Sequence, residues 1–128
     1  MASQNDDFQK KALRIVSGAL PDSWQKVIVY SEFQTDYLNS LFYAQEEDGS
    51  YTDCYDLAPA HNLDLNTILD EICDLLDERR LALPEEERWT VMTITFTPDG
   101  QSTVELDYPD IKEGSREYRR GWRERYLV

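Results

Sequence analysis

The sequence predicts an α+β fold, an antiparallel β-sheet of about five strands with two helices packed on one face and a short C-terminal helix. Three observations carry that expectation. In residues 90–97, Met92, Ile94 and Phe96 alternate with Val91, Thr93 and Thr95, the period-two pattern of a strand with one buried face. After a turn at Pro98, Asp99 and Gly100 the alternation returns, with Val104, Leu106 and Tyr108 on one face and Thr103, Glu105 and Asp107 on the other. Two further stretches carry apolar residues at helical spacing, and the joints between predicted strands suit antiparallel pairing but are too short for a parallel crossover. Packing both helices on the hairpin's apolar face buries it and leaves the face bearing Glu105 and Asp107 open to solvent.

The elements follow in order. Asn5, Asp6 and Asp7 precede Phe8, Ala12, Leu13, Ile15, Val16, Ala19 and Leu20, an amphipathic helix with acids at its start that ends near Pro21. Trp24 is placed to anchor the corner into a strand over residues 26–33, where Val27, Ile28, Val29 and Tyr30 are β-branched or aromatic. Residues 37–45 form the next strand, with large side chains on both faces, so it is expected inside the sheet. A polar turn at residues 46–50 leads to a third short strand at 51–55, and residues 57–62 are a connection. Asn62 or Asp64 caps the clearest helix, in which Leu65, Ile68, Leu69, Ile72, Leu75 and Leu76 share a face opposite Asp70, Glu71, Asp74, Asp77 and Glu78. Pro84 and the run Glu85-Glu86-Glu87 close it before the hairpin. In the tail, Ser115 is placed to cap a helix whose Tyr118, Trp122 and Tyr126 recur at every fourth position among arginines.

A chain of 128 residues with 41% hydrophobic and 12% aromatic residues suits one domain over residues 1–128. The absence of a long apolar run and of an apolar leader segment points to a cytoplasmic protein. The net charge of −13 comes from 26 acidic and 13 basic residues and is unevenly spread. Residues 1–111 hold 23 acids and 7 bases, a net −16, whereas residues 112–128 hold 3 and 6, a net +3. Such a body repels nucleic acid and anionic membranes and attracts a basic protein, although acidity for solubility alone gives the same totals.

The usual traces of an active site are poor. His61, the single histidine, sits in a Pro-Ala-His-Asn stretch and reads as a surface or capping residue. Cys54 and Cys73 match no zinc spacing, Cys73 reads as a small buried hydrophobe, and Asp99, Asp107 and Asp110 are too irregular for a divalent-ion loop. No glycine-rich phosphate loop occurs. The expectation is therefore no enzyme, no cofactor and no metal, and a protein partner met by exposed carboxylates with tyrosines supplying apolar contact. Glu105 and Asp107 on the hairpin are the first candidate surface. Asp70, Asp74, Asp77 and Glu78 on the helix are the second, and the two cannot both face one partner unless it wraps an edge. The tail reads best as a helix docking its aromatics on the core while its arginines neutralise nearby carboxylates.

The sequence resembles the YezG-like immunity proteins (antitoxins) of bacterial polymorphic toxin systems over most of its length. The residues that carry the resemblance are Leu20-Pro21-Asp22-Ser23-Trp24, the acidic turn at residues 46–51, and Trp89 before the strand at 92–96. The Asp99-Gly100 turn, the return strand Val104-Glu105-Leu106-Asp107-Tyr108 and the closing Trp122-Arg123-Glu124-Arg125-Tyr126-Leu127 complete it. The resemblance implies a non-enzymatic protein that binds and neutralises a cognate toxin domain, commonly a nuclease. A basic nuclease site would suit the acidic surface, which would occlude it. The alternative reading is a small acidic adaptor that binds a peptide or subunit and has no toxin partner.

Overall fold

A computed structural model describes residues 2–35 and 37–128, with side chains from Asp7 onward. The chain runs α1 (Ala2–Ser17), β1 (Lys26–Gln34), β2 (Tyr37–Gln45), β3 (Tyr51–Asp53), α2 (Cys54–Ala60), α3 (Leu65–Leu81), a 3-10 turn (Glu85–Glu87), β4 (Val91–Phe96), β5 (Ser102–Asp107) and α4 (Arg116–Tyr126). The five strands form one antiparallel sheet in the order β3-β2-β1-β4-β5, so the predicted α+β class holds. β2 lies inside the sheet, as its two-faced pattern predicts. β1 is central, and its residues from Val27 to Glu32 are all buried.

One face of the sheet carries Ser31 and Ser40, whose hydroxyls are 2.7 Å apart, and α3 lies over it with the Cys73 Sγ 3.3 Å from the Ser40 Oγ. Ile68, Ile72 and Leu76 are the buried stripe of α3, and its N-terminus is capped by Asp64, which accepts from the Asn66 N–H at 3.2 Å. α1 packs against α3 through Phe8, Ala12 and Val16, spaced four apart. α1 starts at Ala2, earlier than the acids at residues 5–7 suggest. The side chains of Asn5 and Asp6 lie outside the described residues, and Asp7 is exposed within the helix.

Two expectations are corrected in the middle of the chain. The third strand stops at Asp53, because the Asp53 carboxylate accepts the backbone N–H groups of Tyr55 and Asp56 and turns the chain into α2. Much of the expected connection at residues 57–62 is therefore helix, with Leu57 and Ala58 in the core.

The larger correction concerns the other sheet face, which is not open. α4 lies on it. Trp122, 1% exposed, sets its ring 4.6 Å from that of Tyr30 and 5.5 Å from that of Tyr43, and its Nε1–H donates to the Thr93 hydroxyl at 2.9 Å. Val91 and Thr93, expected on a wetted face, are buried beneath this helix. Alternation in β4 distinguished two faces correctly; it could not say that a helix more than twenty residues downstream would cover the more polar one.

Candidate interaction surface

A single acid inside the apolar run of β1 organises the covered face. Glu32 is fully buried, pairs with Arg119 of α4 at 2.8 Å, and accepts from the hydroxyls of Tyr30 at 2.7 Å and Ser115 at 2.8 Å and from the amide of Gln34 at 2.7 Å. Burial pushes its carboxyl pKa up, but the bonds from Tyr30, Arg119 and Ser115 outweigh that and leave it below the ordinary 4.5. Ser115 stands at the N-cap position of α4 without capping it, since its hydroxyl is spent on Glu32. Sequence reasoning passed over Glu32. The signal was present: an acid in a central strand requires a buried partner, and the arginine-rich tail is the richest source of one.

The hairpin candidates occupy the rim of the same face. Glu105 and Asp107 point toward α4 and are exposed, yet each already holds a tyrosine of that helix. The Tyr126 hydroxyl donates to the Glu105 carboxylate, and the Tyr118 hydroxyl donates to Asp107 Oδ2 at 2.8 Å. Burial first, and then the adjoining carboxylates, push both tyrosine pKa values up to about 12. With Val91, Thr93 and Arg125 these groups surround a cleft of about 200 Å³. A carboxylate that accepts one hydroxyl still has lone pairs for a cation, so this edge is polar and its carboxylates are held in place.

The helix candidates lie elsewhere. Asp70, Asp74 and Glu78 are exposed on α3 and Asp77 is half-buried. Asp74 and Asp77 flank a cleft of about 200 Å³ that also holds Phe33, Tyr37, Leu38 and Cys73. In the strand register Asp107 lies level with Val91 and Glu32, so both acidic patches sit toward the β1–β2 turn but on opposite faces of the sheet. They therefore do not form one flat surface. Tyr37, exposed, stands at the turn between them.

The remaining chemistry-bearing residues are accounted for locally. His61 is exposed at the C-cap of α2 with its Nδ1 2.9 Å from the Leu57 carbonyl. Cys54 is the fully buried thiol and Cys73 the half-buried one, and burial raises the pKa of both. Among the described residues no group of three or more His, Cys, Asp or Glu side chains is placed to hold a metal ion, and no helix is long and apolar enough to cross a membrane.

The chain is thus an acidic α+β fold that displays carboxylates and tyrosines around a sheet covered on both faces. The sequence matches the model of the family described as "Immunity protein YezG-like" over residues 6–126, and the chain belongs to that family. A search of curated proteins finds no match. Membership ties the chain to toxin neutralisation in general and to a cognate toxin as partner.

Proposed function

We propose that this chain is a cytoplasmic, non-enzymatic immunity protein that binds a basic, nuclease-type toxin domain and occludes its active site or its substrate surface. The observation that carries the reading is the charge of the body, −16 over residues 1–111, in a chain of an immunity-protein family. A nuclease site is basic because it must hold phosphates. Opposed carboxylates compete for the same cations and draw the partner in over a Debye length, ~8 Å at physiological salt.

Glu105 and Asp107 are the first residues to test, with Asp70, Asp74, Asp77 and Glu78 as the second patch. Reversal to lysine is a poor probe of the first pair, because it strips α4 of two hydrogen bonds as well as removing charge. Glu105→Gln with Asp107→Asn keeps an acceptor for each tyrosine. The toxin domain encoded next to this chain should bind it one to one and lose nucleic-acid cleavage in proportion. The amide variant should bind about ten-fold more weakly at low salt, with the difference shrinking as salt rises. Unchanged affinity removes that edge from the interface, and a toxin without nuclease activity removes the charge argument.

A further inference from the structure

Resting on the immunity reading above, we propose that the free edge of β5 is where the toxin docks, by adding one extended strand in which basic and apolar side chains alternate. The two edges of the sheet differ. β3 spans three residues and passes directly into α2, whereas β5 spans six residues in unbroken register with β4. Within β5 there is no lysine, arginine or proline and its register with β4 is unbroken. The device that protects this edge is therefore its two carboxylates, Glu105 and Asp107, which repel an acidic strand and leave the edge open to a basic one.

The register fixes which backbone groups are available. Thr97 donates to the Gln101 carbonyl, so in this antiparallel ladder Thr103, Glu105 and Asp107 exchange their backbone bonds with β4. The N–H and C=O groups of Ser102, Val104 and Leu106 then point away from the sheet. On an added antiparallel strand, the positions opposite Glu105 and Asp107 are those where cross-strand side chains come closest. Cationic side chains there meet two carboxylates already held in place by Tyr126 and Tyr118.

The other face of the edge asks for apolar side chains. α1 reaches β5 at Ser102, whose hydroxyl bonds Gln9, and beyond it a groove of about 400 Å³ opens beside Phe8, Met92, Val104 and Leu106. The Arg79 guanidinium lies over the Phe8 ring, a cation that favours apolar over basic side chains on this face. Leu106 is 43% exposed there, although the alternation of the sequence assigns it to the core. Charge decides against a second copy of this chain as the occupant. Pairing β5 with itself antiparallel keeps the α4 faces on one side and brings Glu105 and Asp107 against the same carboxylates.

The probe is the toxin domain encoded beside this chain, inactivated at its catalytic residues and bound to the full-length protein. Hydrogen exchange at the Ser102, Val104 and Leu106 amides should slow on binding. Val104→Pro removes an outward N–H without breaking a bond to β4, and it should weaken binding by about ten-fold or more. Should that variant fold poorly, Leu106→Arg leaves the backbone intact and should weaken binding similarly by repelling a basic strand. A complex that forms with no added protection at these amides and is indifferent to both variants overturns the edge proposal and leaves the immunity reading standing. No complex at all overturns both. Slow exchange at the same amides in a toxin-free dimer assigns the edge to self-pairing and overturns the proposal.

Discussion

The two faces of the sheet are closed by different physics. On the α3 side a continuous apolar layer is buried, Val27, Val29, Phe42, Ile94 and Phe96 of the sheet with Ile68, Ile72 and Leu76 of α3. Its polar groups are few: the Ser31–Ser40 hydroxyls, the Cys73 thiol, and the Arg80 guanidinium, which donates to the Trp89 carbonyl at 2.7 Å. On the α4 side one indole packs at a tilt against Tyr30 and Tyr43 and stacks on Tyr126, one ion pair is buried, and tyrosine hydroxyls reach exposed carboxylates. α4 contributes a single buried residue, Trp122, against the four of α3. The first face is held by area removed from water, which is tolerant of detail. The second is held by a few directional contacts, which fix where the helix lies and fail singly.

The widest separation between the faces comes from truncating each at its centre. Phe42→Ala leaves a cavity under α3 and should cost about 4 kcal/mol of global stability, with far-UV circular dichroism and tryptophan fluorescence falling together. If fluorescence alone responds, the α3 face is not the common core. Arg119→Ala instead strands the Glu32 carboxylate and should cost about 3 kcal/mol. That loss should show first in Trp122 fluorescence as α4 lifts, with the sheet signal following. Acid sharpens the contrast. Because the folded pKa of Glu32 lies below 4.5, the stability it contributes is full above that value and is lost as pH falls through the folded pKa. Melting temperatures taken from about pH 6 down to about pH 3 should fall more steeply for the parent chain than for Arg119→Ala, whose Glu32 keeps the Tyr30 bond but has lost its cationic partner. Equal slopes would mean that other carboxylates govern acid unfolding.

The same contrast explains what was legible in the sequence. Apolar periodicity is a local signal, so α1, α3, the hairpin and the two-sided β2 could all be read from it, whereas the pattern leaves the cap of α3 open between Asn62 and Asp64, and it falls to Asp64. The α2 helix was hidden because its start depends on the Asp53 side chain, and one capping bond leaves no periodicity in seven residues. The covered second face was half legible: the tail reads as a helix that docks its aromatics on the core, but where it docks does not show, for a different reason. The pairs Glu32–Arg119 and Trp122–Thr93 span 87 and 29 residues, and nothing in either local stretch announces its partner. Both halves of the clue were nevertheless on view as an acid inside a buried strand and an aromatic stripe in a basic tail. The six candidate carboxylates were legible as exposed residues, and their division between opposite faces was not.

The smallest effect tests the rim of the covered face. Tyr118→Phe and Tyr126→Phe each remove one hydroxyl from an exposed carboxylate, and each should cost about 1 kcal/mol or less, since water replaces the bond. Alkaline titration gives the same bonds a sharper readout. Both phenols ionise near 12 in the folded chain against an ordinary 10, so the stability they contribute is complete below pH 10 and is lost as pH rises toward 12. Phenolate absorbance should therefore develop late for these two residues. In Glu105→Gln with Asp107→Asn it should develop earlier, because the anion that opposes ionisation is gone while the acceptor remains. The part of the shift due to burial should persist in that variant. A titration curve unmoved by it would mean that burial alone holds these tyrosines, and that Glu105 and Asp107 face solvent uncommitted to α4.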